Sequence, residues 1–321
     1  MISLTVCNHK GGTGKTTSIM SLAAAFGFSG KRVLVVDLDP QGFLSRMMGA
    51  VDIPADESSA LLFDASVNPV DVPRLKMDGF DIIASSPTLT SEMRRLNKGT
   101  DVLWLKDFSK AMNQYYDIVF YDTAAALTVF CLNALVASEH VLIPVLPEYQ
   151  PVIGAEQMYQ TCKIVQKKLN PALNTPRFLI TMVDARKRSH ARYQRYLRGK
   201  YKDDVLCGIV RTCAALATSD RDGKTVFATN PRARGSIDYA NAADELYSSY
   251  LAVEPVGGKD TQSTAAAQDV SPAAARDVTP AAAQDVTLAA AQDVTGEVTP
   301  QDPDSGGDPA VPLAHESLNP M

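Results

Sequence analysis

Through the first 180 residues or so, short uninterrupted apolar runs alternate with longer stretches whose apolar positions recur at helical spacing. Ile2 to Cys7, Arg32 to Val36, Asp81 to Ala84, Asp117 to Tyr121, His140 to Val145 and Phe178 to Met182 lack the polar alternation of a half-exposed strand. Each reads as a strand buried on both faces. Thr16 to Phe28, Val102 to Tyr115 and Glu156 to Leu169 read as helices between them. Together they predict an α/β fold: a mostly parallel, twisted sheet with helices on both faces. Ligands of such sheets bind beyond the carboxyl ends of the strands, so the turns that follow the runs are the places to look for chemistry.

The pattern stops near residue 255. An eight-residue unit then appears four times, as AAAQDVSP (265–272), AAARDVTP (273–280), AAAQDVTL (281–288) and AAAQDVTG (289–296). A period of eight matches neither 3.6 nor 2, and each full unit offers one Val as its main apolar group, so it cannot present one face to a core. No Phe, Tyr or Trp follows Tyr250. The expected organisation is a body, 1–253, and a disordered acidic tail rich in Ala and Pro, 254–321. Charge divides at the same place. The net −5 of the whole chain hides a tail with 2 basic and 11 acidic side chains, and therefore a body with 29 basic against 25 acidic. The body is mildly basic.

The turn after the first strand reads 7-CNHKGGTGKTTS-18. A strand, a glycine-rich turn and a helix opening together form a phosphate-binding loop. Gly11, Gly12, Thr13 and Gly14 bring backbone N–H groups toward an anion, and the helix N-terminus with Thr17 adds partial positive charge. Lys15 reaches the outer phosphates and the Thr16 hydroxyl ligates Mg²⁺. The common pattern G-x-x-x-x-G-K-[ST] is broken, with His9 in place of its first glycine and a second lysine, Lys10, after it. Two strand ends supply acids to the same crevice. Asp37 and Asp39 of 33-VLVVDLDPQG-42 point the same way if strand alternation continues, and Asp122 ends 117-DIVFYD-122, where an acid holds Mg²⁺ through water.

These features resemble the deviant Walker A motif, K-G-G-x-G-K-[ST], of the ParA/MinD group of ATPases, with Lys10 at the signature lysine. The resemblance continues through VDLDPQG (36–42), the strand ending at Asp122, PVLPEYQPVIG (144–154), TMVDAR (181–186) and NPRARGSIDYANAADEL (230–246). It covers roughly residues 1–252, and the motif order is most similar to the Soj/ParA partition branch. The resemblance implies ATP and Mg²⁺ as cofactors, an ATP-dependent homodimer, slow partner-stimulated hydrolysis, and binding to non-specific DNA. It implies that Lys10 and Asp39 serve hydrolysis, that Asp37 and Asp122 organise the metal and its waters, and that a ParB-like or cargo-adaptor protein is the partner. Two positions depart from the family. Thr123-Ala124-Ala125-Ala126 stands where a Pro-Pro pair is usual, which frees the backbone. IVRTCA (209–214) keeps Arg211 but has Ala214 in place of a second, DNA-contacting arginine.

Residues 186–202, RKRSHARYQRYLRGKYK, hold eight Lys or Arg, three Tyr, one His and no acid. Ser189 to Lys200 has helical spacing, with Arg188, Arg192 and Arg195 on one side and Arg198 nearby. With Arg186, Lys187 and Arg211, these are the expected DNA contacts, made to phosphates and so without sequence preference.

Other classes fit less well. A MinD-like membrane-positioned ATPase, the alternative reading, calls for a basic amphipathic C-terminal helix, whereas this tail is acidic and ends ESLNPM. Five scattered cysteines without a Cys-x-x-Cys pair indicate neither an iron–sulfur cluster nor a disulfide framework. No apolar run approaches the length of a membrane span and no leader is evident, so the expected setting is the cytoplasm, in association with the nucleoid.

Overall fold

The computed structural model describes residues 1–219 and 223–251; the repeats, and with them the expected tail, lie outside the described residues. Eight strands form one sheet: β1 (Ile2–Val6), β2 (Val33–Asp37), β3 (Leu75–Lys76), β4 (Asp81–Ile83), β5 (Ile118–Asp122), β6 (His140–Val145), β7 (Arg177–Val183) and β8 (Val205–Arg211). Their order is β3-β4-β2-β5-β1-β6-β7-β8, parallel throughout except for the antiparallel β3–β4 pair at one edge. The helices are α1 (Lys15–Phe28), α2 (Phe43–Met47), α3 (Leu89–Arg95), α4 (Trp104–Met112), α5 (Val129–Ala137), α6 (Tyr149–Lys168), α7 (Arg188–Tyr201), α8 (Ala214–Ser219), α9 (Val226–Thr229) and α10 (Arg234–Leu246).

Apolar runs became strands because both of their faces are covered. Val33 and Val35 pack with α1 and α10 on one side, and Leu34 and Val36 pack with α4 and α5 on the other. Farther along the sheet, Ile143, Val145, Phe178 and Ile180 meet α5 and α6. The α/β layering is as the pattern predicted.

The elements depart from expectation in three places. Helix α6 begins at Tyr149 rather than near Glu156, with Pro151 inside it. That proline is the third helical residue, where an N–H has no intrahelical acceptor to lose. Helix α4 is shorter than expected, starting at Trp104 and stopping at Met112, with a 3₁₀ turn over Gly99–Val102 before it. Strand β8 was not among the expected runs. Gly208 interrupts it, and its outer edge is covered by α10: Glu245 accepts from Cys207 N (2.6 Å) and Gly208 N (2.8 Å), and Asp238 accepts from Arg211 N (2.9 Å). Carboxylates thus occupy N–H groups that an unpaired strand edge would leave open.

Candidate functional site

Strands β2, β5 and β1 lie side by side, so the turns after their carboxyl ends share one crevice. The glycine-rich loop leaves β1 at Cys7 and enters α1 through Gly14, a left-handed residue at φ 85°. Gly12 is also left-handed, at φ 72°, a conformation that costs glycine little. Asn8 and Thr181 hold the loop. Asn8 Nδ2 donates to the Pro144 carbonyl (2.8 Å), Asn8 Oδ1 accepts from Lys10 N (2.9 Å), and Thr181 Oγ1 donates to the Thr13 carbonyl (2.8 Å). Lys15 is buried, with its ammonium 3.3 Å from the Lys10 carbonyl, a long hydrogen bond that a better acceptor would displace. The Lys10 side chain is exposed. His9 is half-buried with Nε2 3.3 Å from Thr161 Oγ1; burial, and then the Lys15 charge, push its pKa down and keep it neutral. Thr17, one residue into the helix beyond Thr16, is half-buried.

The acids occupy distinct positions. Asp37 and Asp122 are register partners on adjacent strands and both are buried. Burial raises the Asp37 pKa to about 6, against hydrogen bonds that pull it down. Burial, and then the Asp37 charge, hold Asp122 well above the usual carboxylate range. Strand alternation does not place Asp39, because β2 ends at Asp37. The turn places it instead: Asp39 N donates to Asp37 Oδ1 (3.1 Å), Gln41 N donates to Asp39 Oδ1 (2.9 Å), and Ser85 Oγ donates to the Asp39 carbonyl (2.6 Å). Asp37 Oδ2 accepts from both Ser45 N (3.0 Å) and Ser45 Oγ (2.6 Å). Both Asp37 oxygens are thus engaged, one of them by the turn that carries Asp39. The serines Ser45 and Ser85 escaped the sequence reading, since nothing in their spacing marks them; only the fold brings them to Asp37 and Asp39.

A metal can be tested against the donors present. Thr16 Oγ1 donates to Asp122 Oδ2 (3.0 Å), while Asp122 Oδ1 is buried and without a partner. An unpartnered buried acceptor costs about 1–3 kcal/mol, so this oxygen is suited to a cation or its water. A hydroxyl and a carboxylate beside a phosphate loop are hard oxygen donors of the kind Mg²⁺ takes. The donor set fits Mg²⁺.

The cysteines are less scattered than their numbering. Cys7, Cys131 and Cys162 are all buried in one apolar cluster. The Cys7 thiol beside it, with burial, raises Cys131 and keeps it a neutral thiol.

The basic segment divides into two groups. Helix α7, Arg188–Tyr201, extends one residue beyond each end of the expected Ser189 to Lys200, with Leu197 and His190 buried on its inner side. Arg188 and Arg195 are exposed and have no ion-pair partner among the described residues; Arg192 is half-buried, its guanidinium 5.3 Å from the Tyr193 ring centroid. Arg186 pairs with Asp184 (2.7 Å) and Lys187 with Glu148 (2.8 Å), both at the surface. Arg198 donates to the Leu206 and Cys207 carbonyls (2.9 Å each), and Arg211 pairs with Asp238, whose side chain is only 5% exposed. Those two arginines, expected to contact DNA, thus have protein partners on β8 and α10.

Known proteins align with this arrangement. An AAA-domain family model matches residues 1–175. The sporulation initiation inhibitor protein Soj of Bacillus subtilis is 31% identical over 256 residues, covering 76% of this chain and 97% of that protein. The chromosome partitioning protein ParA of Myxococcus xanthus is 30% identical over 246 residues, covering 75% of this chain and 86% of that protein. Among solved structures, cobyrinic acid a,c-diamide synthase from Mycobacterium smegmatis, with bound ATP analog and magnesium, superposes with a TM-score of 0.66 at 26% identity, covering 78% of this chain and 96% of that one.

Proposed function

We propose a function from one premise: this chain belongs to the Soj/ParA family of P-loop partition ATPases. Within that family we read it as an ATPase that dimerises on ATP and Mg²⁺, holds non-specific DNA in that state, and releases it on slow hydrolysis stimulated by a ParB-like or cargo-adaptor protein. It acts in the cytoplasm on the nucleoid. The observation that carries the reading is the division of labour between two lysines five residues apart: Lys15 is buried inside the loop and Lys10 is exposed outside it.

The chain's residues account for the chemistry. The N–H groups of Gly11 to Gly14 and the N-terminus of α1 receive phosphate oxygens, and Lys15 turns from the Lys10 carbonyl to the outer phosphates. Thr16 and Asp122 would hold the cation, which when bound would offset the phosphate charge. Asp39 orients the attacking water, kept in place by the Asp37–Ser45–Ser85 network. Lys10 contributes nothing to its own loop through its ammonium, so we assign it to the nucleotide of a second copy, where a donated positive charge stabilises the transition state as an arginine finger does. Arg188, Arg192 and Arg195 present the DNA-binding face, with Arg186 and Lys187 at its rim.

The test is retention on non-specific duplex DNA and on anionic liposomes, each with ATP, with ADP and without nucleotide, across a salt series. ATP-dependent DNA retention that falls steeply with salt is expected. Liposome binding without DNA binding would overturn the reading in favour of a membrane-positioned ATPase.

A further inference from the structure

Helix α6 lies between the phosphate loop and α7 and touches both. Toward the loop it presents Gly154, where an added Cβ would sit 3.2 Å from Lys10 Cβ, 3.3 Å from Asn8 Oδ1 and 3.4 Å from Lys10 N. Thr161, which meets His9, is two helical turns farther on and so on the same face. Glu156 is two residues from Gly154, which places it about 200° around the helix. It is 4% exposed, and its Oε1 accepts from Tyr196 Oη (2.9 Å), Lys200 Nζ (2.7 Å) and Tyr201 Oη (3.0 Å). All three donors belong to α7. The other end of α7 is tied as well: Glu148, at the N-cap of α6, accepts from Lys187 Nζ (2.8 Å) and lies 3.1 Å from His190 Nε2. Because His190 Nδ1 accepts from Asp184 N (3.1 Å), Nε2 carries the proton and donates to Glu148.

We propose that α6 couples the phosphate loop to α7: occupancy of the loop sets the position of the basic helix, with Gly154 as the contact to the loop and Glu156 as the contact to α7. The DNA-binding consequence rests on the function proposed above. The physical reason is that the two contacts differ in kind. Separating α6 from α7 would strand a buried carboxylate, so these helices move as one body. Gly154 leaves no room for a Cβ beside Lys10, and His9 Nε2 lies 3.3 Å from Thr161 Oγ1 on the same face, so a displacement of the loop bears on α6. A change in the loop therefore bears, through α6, on the face carrying Arg188, Arg192 and Arg195.

The experiment is amide hydrogen exchange over residues 188–201 of the full chain with ATP and Mg²⁺, with ADP, and without nucleotide. It is run on the wild type, Gly154→Ala, Glu156→Gln and Tyr201→Phe, beside DNA retention of the same samples. In the wild type, exchange in α7 is expected to depend on nucleotide. In Glu156→Gln that dependence collapses while nucleotide affinity is unchanged, and the ratio of DNA affinities with ATP and ADP falls toward one from a coupling of about 5–150-fold. Gly154→Ala loses the same dependence from the loop side. Should either variant fail to fold, Tyr201→Phe removes one of the three donors and is expected to reduce the dependence in part. The same nucleotide-dependent exchange in variants and wild type, or none in the wild type, overturns the coupling. A wild type whose α7 responds to nucleotide but does not retain DNA would sink the DNA reading and leave the coupling standing.

Discussion

The crevice above β1, β5 and β2 and the outer face of α7 are both built from charged side chains, held in opposite ways. In the crevice, Asp37 and Asp122 are buried, and every oxygen but Asp122 Oδ1 has a protein partner. On α7, Arg188 and Arg195 stand in solvent without an ion-pair partner among the described residues. Buried charge is tolerated only where the fold supplies donors at fixed distances, so the crevice is rigid and particular about what completes it. Solvated charge needs no such support, which suits a face that meets a polyanion by its charge density and not by its sequence. The lesson is that charge alone does not mark a ligand contact; what else holds that charge decides.

The predictions test that contrast. The largest effect is expected at the lysine that belongs to neither region. Lys10→Ala should leave ATP binding nearly unchanged and lower turnover by about 1,000-fold, as loss of a transition-state cation does, in steady-state phosphate release. Equal turnover would make Lys10 an idle surface residue. Next is the crevice: Lys15→Ala should weaken binding of ATP by about 100-fold in calorimetry, the worth of a strong charge-assisted hydrogen bond.

The outer face should respond more gradually. Replacing Arg188, Arg192 and Arg195 together with alanine should lower the slope of log affinity for DNA against log salt by roughly 2–3, about one for each phosphate no longer neutralised, with ATP hydrolysis unaffected. Arg211→Ala sharpens the comparison from the other side: it leaves the buried Asp238 with the backbone N–H of residue 211 but without the guanidinium, so the melting temperature should fall while the salt slope stays where it was. A lowered slope would return Arg211 to the DNA-binding face.

The smallest effect concerns pH. Asp37 has a folded pKa near 6, above that of an unfolded carboxylate, so between about pH 4 and 6 this carboxyl is more protonated in the folded chain than in the unfolded one. Its contribution to the stability of the nucleotide-free protein should thus grow as pH falls through that window and shrink as pH rises. Thermal melts of wild type and Asp37→Asn across pH 4–7 check this, and the dependence should flatten in the variant.

How far the sequence reaches depends on how local each interaction is. The phosphate loop is legible because its work is done by successive residues: left-handed glycines, a helix N-terminus, and a lysine and a threonine at set offsets. The strands are legible because burial on two faces leaves no room for polar alternation. Helix α6 starts before Glu156 because Pro151 sits in its first turn, where its missing N–H costs nothing, and Gly154 is where the helix faces Lys10, a long-range contact that spacing does not show. Strand β8 went unread because Gly208 and the register shifts against β7 blur its pattern.

By itself, then, the sequence determined the layered fold, the phosphate loop with its two lysines, and the existence of a basic helix, all of which are written in neighbouring positions. Only the tertiary structure decided which groups the acids hold, which arginines find partners on β8 and α10, and that α6 touches both the loop and α7. Those outcomes depend on partners dozens of residues away along the chain, such as Glu156 with Tyr196 and Arg211 with Asp238, and contacts of that kind exist only once the sheet has set the strands side by side.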